Sequence, residues 1–169
     1  MSNKSKAVFR ISIGLNILLI AILAWGIIKV NFVKEQIFVT EVQNNLMELE
    51  GLIAHQIDNN WLEPNLVTTK LGDVLNGIQV GTTTGEQLGN LSKGDKKILR
   101  NLYLKLNLYP HDELYSFVDL TIEDKKNFED LRENLRDVGL GLNIPLYSDM
   151  DSFTKQAEEL EGKINSPTN

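Results

Sequence analysis

From Ile11 to Ile28 the chain runs for 18 residues without a charged side chain, and nothing else in it restricts the fold as strongly. As a helix, this stretch and its flanks match the ~30 Å hydrocarbon core of a bilayer. Eleven of the 18 residues are Leu or Ile. Each contributes about −0.3 to −0.6 kcal/mol near the bilayer centre, which outweighs the cost of Ser12 and Asn16. Arg10 and Lys29 bracket the run with stems long enough to reach the interfaces, and Trp25 suits an interface or a partner helix equally well. The sequence therefore predicts one transmembrane anchor over residues 8–30. A cleaved signal peptide shares the basic start and apolar run, but this run exceeds the usual length of about 7 to 15 residues. Its best small-residue cleavage point, after Ala24, is followed by Trp25 and more apolar chain.

Charge is distributed unevenly along the chain. Lys4, Lys6, Arg10, Lys29 and Lys34 precede the first acid, leaving 12 basic and 23 acidic residues afterwards, a net of −11. The excess of cations before the anchor predicts a short cytoplasmic segment, residues 1–7, with the remainder extracytoplasmic. An acidic domain repels phosphate backbones, so no nucleic-acid partner is expected. Cysteine is absent, which excludes disulfides, thiolate metal sites and cysteine nucleophiles. The Lys-, Ile- and Asn-bearing, cysteine-free composition points to a bacterial cell membrane.

Beyond the anchor, Val39, Val42, Leu46, Leu49 and Ile53 repeat at spacings of 3 and 4, the period of a helix with one apolar face. No Pro or Gly interrupts residues 27–50. This predicts a stalk helix over residues 31–62, continuous with the anchor and ending near Trp61 before Pro64. Its seam suits a coiled coil with a protein partner or a second copy, and part of it is expected to remain uncovered. The period returns at Leu99, Leu102, Leu106 and Tyr109, at Phe128, Leu131, Leu135 and Val138, and at Met150, Phe153, Ala157, Leu160 and Ile164. Ser92 with Asp95 and Thr121 with Asp124 read as helix starts, Gly139 as a stop, and Ser148 or Asp149 as the last cap. Shorter helices are expected between Pro64 and Asn76 and between Asp112 and Val118. Residues 77–92, with Gly77, Gly81, Gly85 and Gly89 around Thr82 to Thr84, read as a loop. The fold expected is all-α: an anchor, a stalk, a small helical bundle over residues 63–164 packing with the stalk, and a frayed tail at 165–169.

Few constellations carry chemistry. The glycine-rich stretch lacks the lysine and the spacing of a phosphate-binding loop. Asp149 and Asp151 resemble the start of a calcium loop, but Phe153 and Thr154 stand where a ligand and the turn glycine belong. His55 and His111 have no His or Cys neighbours at metal-ligand spacing. His111 with Asp112 and Glu113 is the one general-base candidate. The sequon at Asn90-Leu91-Ser92 matters only in a eukaryotic secretory pathway. Glu129 with Arg132, and Glu133 with Arg136, read as helix-surface pairs. No catalytic, cofactor-binding or metal-binding residue is assigned, and no cofactor is implied.

An apolar helix running into an amphipathic one superficially resembles a type IV pilin stem, but no Gly-Phe processing site or early glutamate accompanies it. Pro64-Asn65-Leu66-Val67 is similar to a phrase of the LemA family, whose remaining pattern is missing here. Neither assigns a family. Three functions remain in view. The first is a non-enzymatic, membrane-tethered module that binds or spaces an envelope component. The second is an accessory ligand sensor; with about ten residues before the anchor, it would need a partner for output. The third is an envelope hydrolase using His111. A polar-lined pocket would favour the second, and His111 in a cleft facing a Ser or a carboxylate would favour the third.

Overall fold

The computed structural model describes residues 3–89, 91–112, 117–144 and 149–164. Every element among them is a helix, and no strand occurs. In order these are α1 (Asn3–Ile37), a π-helical segment (Phe38–Gln43), α2 (Asn44–Asp58), α3 (Asn65–Gln87), α4 (Lys93–Leu106), α5 (Ile122–Asp137) and α6 (Met150–Lys163). The chain divides into two compact units, Met1–Val33 and Lys34–Asn169.

The first unit is a single helix whose most apolar window has a mean hydropathy of 2.5 and is 0% buried. Within it, Asn16 donates from Nδ2 to Ser12 O at 2.8 Å, so the one side-chain amide in the run is partly satisfied by its own helix.

The second unit has one core. The π segment and α2 pack against α3, α2 also against α5, α3 against α4, and α6 against α4, α5 and the π segment. Every periodic residue expected of α4, α5 and α6 is buried, as are Val42, Leu46, Leu49 and Ile53. Each such Leu, Ile or Phe contributes about 1.5–3 kcal/mol relative to exposure. Aromatic rings tie the helices together: Phe38 stacks on Phe153 at 6.0 Å, and Phe128 meets Tyr109 at 5.5 Å and Trp61 at 6.3 Å.

The helix ends follow the sequence closely. Asp95 N donates to Ser92 Oγ at 3.1 Å, and Thr121 and Asp124 form a reciprocal capping box. Gly139 closes α5 at φ 82°, and Asp149 accepts from Ser152 N at 2.8 Å. Ser148, the tail at 165–169 and residues 113–116 of the helix expected over 112–118 lie outside the described residues. Asp112, Phe117 and Val118 are not helical. The stalk helix stops at Asp58, earlier than expected. Asn60 and Trp61 then take positive φ values of 53° and 57°. That turn is held because Gln56 accepts Trp61 N at its carbonyl (2.7 Å) and Glu63 N at Oε1 (2.9 Å).

The largest correction concerns residues 77–92. Through Gln87 they are helix, the second half of α3. Glycine costs about 1 kcal/mol in a helix interior, so propensity argued for a loop, and packing overrides it. Gly77, Gly81 and Gly85 recur every four residues along one buried face. A Cβ on Gly77 would lie 2.0 Å from Glu41 O, one on Gly81 2.7 Å from the Phe38 ring, and one on Gly85 3.1 Å from Leu91. Gly77 lets α3 touch the π segment backbone to backbone, while Gly81 and Gly85 make room for the Phe38 ring and the Leu91 side chain. Only Gly89, at φ 65°, acts as the helix stop.

Candidate functional site

The seam expected of the stalk is buried within the chain itself. Val42, Leu46, Leu49 and Ile53 have no exposed surface and Val39 is half-buried. α3, α5 and α6 of the same chain cover this face. The apolar period expected to meet a partner or a second copy lines the domain's own core. The face begins at Phe38, because the wider π turn shifts the register.

The residues expected to flank an anchor lie within the apolar helix. Arg10, Trp25 and Lys29 occupy α1, and Trp25 is exposed. Lys29 Nζ sits 5.9 Å from the centre of the Trp25 ring, a cation–π contact four residues apart.

Arg132 and Arg136 do not form surface pairs with Glu129 and Glu133. They reach across to Glu50 on α2, which is only 2% exposed. Arg136 donates from Nη1 to Oε1 at 3.1 Å, and Leu142 N donates to Oε2 at 2.9 Å. Arg132 Nε lies 3.0 Å from Oε1, but its N–H makes no hydrogen bond, so this contact is a charge pairing. Glu50 locks α2, α5 and the turn after α5 together. A glutamate on the otherwise apolar side of a helix was the sequence signal for it.

Two polar grooves flank α3. One, of about 450 Å³, runs between α3 and the end of α4 and is lined by Thr69, Asp73, Asn76, Tyr103, Asn107, His111 and Asp112, with Gly72 and Leu75. His111 Nδ1 lies 2.9 Å from Tyr109 O, and no Ser or carboxylate is within hydrogen-bond distance of the ring among the described residues. Asp112 is engaged elsewhere: it accepts from Thr68 Oγ1 (2.9 Å), Thr69 Oγ1 (2.6 Å) and Val118 N (3.1 Å), fastening the α4–α5 connection to α3. The general-base candidate is thus an imidazole beside a carboxylate with a structural task.

The other groove, of about 540 Å³, lies between the π segment and α3 and includes Glu41, Asn45, Asp73 and Asn76. Lys70 on α3 meets Glu48 at 2.8 Å and Asp73 at 3.1 Å. Burial disfavours its ammonium, but the two carboxylates outweigh that and hold the pKa above the ordinary lysine value. Buried Tyr109, at the end of α4, has its phenol pushed up to about 12 by burial and by the negative charge of Asp130.

Thr69, Asp73, Asn76 and Asn107 carried no sequence signal, since on an amphipathic helix they read as a solvated face. No group of three or more potential metal ligands occurs among the described residues. The chain matches no known protein family, no curated protein and no solved structure.

Proposed function

We propose that the chain is a single-pass, membrane-anchored helical module, non-enzymatic, whose extracytoplasmic domain binds or spaces another membrane or envelope component. The observation that carries this reading is the contrast between the two units. The first exposes nearly all of its large apolar side chains from Val8 to Val33, while the second gathers most of its own into one core and leaves scattered ones such as Leu62, Phe117 and Ile122 exposed. An apolar cylinder of this extent needs a nonpolar surrounding. Its eleven Leu and Ile residues supply roughly −3 to −7 kcal/mol of insertion free energy. Asn16, bonded within its helix, subtracts less than a free amide would. Lys4, Lys6 and Arg10 favour the cytoplasm for the preceding residues. With the stalk seam buried, the partner is met on the outer surface of the domain.

The test is to recover the tagged chain from its native membrane. The expected result is resistance to alkaline carbonate, an intact mass that includes residues 1–30, and a carboxy-terminal reporter active only outside the cytoplasm. A mature chain beginning after Ala24, or release by carbonate, would overturn the anchor. A cytoplasmic reporter signal would overturn the orientation.

A second reading, an accessory ligand-sensing domain, is favoured by the polar grooves of about 540 and 450 Å³ beside α3, within the size range of small-molecule sites. Constitutive co-purification of a stoichiometric protein partner would favour the first reading. A partner held only in the presence of a small molecule would favour the second.

A further inference from the structure

In the two polar grooves the carboxylates of Asp73 and Asp112 already have partners. A third cavity differs in kind. Between α3 and α4 lies a slot of about 220 Å³ lined by Ile78, Gln79 and Thr82 from one helix and Lys96, Arg100 and Tyr103 from the other. Ile78 is buried and Tyr103 half-buried, so the slot has an apolar body. Thr82 is one of its lining residues, and the Thr82 Oγ1 is buried without a hydrogen-bond partner. A buried hydroxyl left unmade costs stability and calls for an acceptor or a donor.

The charges around the slot are unusual for this chain. The domain is strongly acidic, yet α4 carries Lys93, Lys96, Lys97, Arg100 and Lys105 against Asp95 alone. Lys96 is paired with Glu86, and Lys105 is bound to the carbonyls of Glu161 and Ile164. Arg100, exposed at the slot, has no ion pair among the described residues. A guanidinium without a counter-ion, an unpartnered hydroxyl and an apolar wall together define a complement.

We propose that this slot binds a small amphipathic anion, a monocarboxylate with an aromatic or branched apolar body. Its carboxylate accepts from Arg100 and, once the Thr82 side chain turns toward the slot, from the Thr82 hydroxyl, and its body lies against Ile78 and the Tyr103 ring. At about 220 Å³ the slot is smaller than the sites that hold drug-sized molecules, so the ligand has about ten non-hydrogen atoms. Such a ligand binds with a dissociation constant of about 1 mM. The inference does not depend on the membrane reading.

The experiment uses the full chain in lipid nanodiscs, with empty nanodiscs as blank, and follows 4-fluorophenylacetate by ¹⁹F NMR. Saturable binding of one equivalent is expected. The uncharged 2-(4-fluorophenyl)ethanol and inorganic phosphate should each bind about tenfold more weakly, since each lacks one half of the complement. Arg100→Gln, at an exposed position that leaves the core untouched, should weaken phenylacetate binding about tenfold. Thr82→Val keeps the side-chain shape and removes the orphan hydroxyl. It should weaken binding several-fold while holding or raising the melting temperature, a combination that a purely structural threonine would not give. Absence of saturation above the blank, wild-type binding by Arg100→Gln, or equal binding of the alcohol or of phosphate would overturn the proposal.

Discussion

Replacing Gly77 by alanine should destabilise the domain, although alanine is the better helix former. The new Cβ would stand 2.0 Å from Glu41 O and 2.8 Å from Glu41 C. Those are backbone atoms, so no side chain can rotate away. Restoring even a 3.0 Å approach requires α3 and the π segment to separate by about 1 Å, which loosens the packing that continues along the same face at Gly81 and Phe38. Overpacking of this kind costs about 1–3 kcal/mol, occasionally more, and the backbone clash places it at the upper end. Against this stands a helix-propensity gain of about 1 kcal/mol. The net loss is about 2 kcal/mol, a fall in melting temperature of roughly 6–12 °C for a domain of this size. Gly162 provides the control, because in α6 an added Cβ meets nothing within 4 Å. Gly162→Ala should leave stability unchanged or raise it by up to about 1 kcal/mol. Thermal unfolding of the full chain in detergent, followed by near-ultraviolet circular dichroism, measures both. A Gly77→Ala melting temperature equal to or above that of Gly162→Ala would refute the close-approach argument.

Two further predictions concern buried polar groups. Glu50→Gln removes the negative charge between Arg132 and Arg136 and should cost about 2 kcal/mol, below the usual figure of about 3–5 for breaking a buried pair. The discount arises because the arginines remain 30% and 43% exposed and keep part of their hydration. Arg136→Gln should cost less than half as much, since Arg132 stays beside the carboxylate, and denaturant midpoints in the reverse order would sink this account. Tyr109 gives a pH dependence at the alkaline end. Its folded pKa, about 12, lies above the ordinary value of 10.0, so its contribution is complete below pH 10 and is lost as pH rises toward 12. The loss should reach about 2 kcal/mol after allowance for partial solvation, and Tyr109→Phe should abolish this slope while leaving neutral-pH stability nearly unchanged. An identical alkaline slope in the variant would show that other groups dominate.

Much of the fold was legible residue by residue. The 3-4 spacing picked out the buried faces of α2, α4, α5 and α6, because a helix that buries one side must place apolar residues at that period. Caps at Ser92, Thr121 and Asp149 and the stop at Gly139 were legible for a local reason: each bond closes within a few residues of sequence. The candidate sites were almost wholly illegible. Arg100 and Thr82 lie 18 residues apart on different helices, and nothing in either helix alone says that they border one cavity.

The sequence by itself determined the class: an apolar helix with its charge bracket, an all-helical domain, and the identity of most core residues, all consequences of local periodicity and transfer free energy. Tertiary structure decided what each face touches. It turned the stalk seam from a surface for a partner into the centre of the chain's own core, and a glycine-threonine stretch from a loop into the closest-packed part of α3. It also drew Arg132 and Arg136 away from their helical neighbours to Glu50. In each case the local preference was worth about a kilocalorie or less, and burying a long-range contact was worth more.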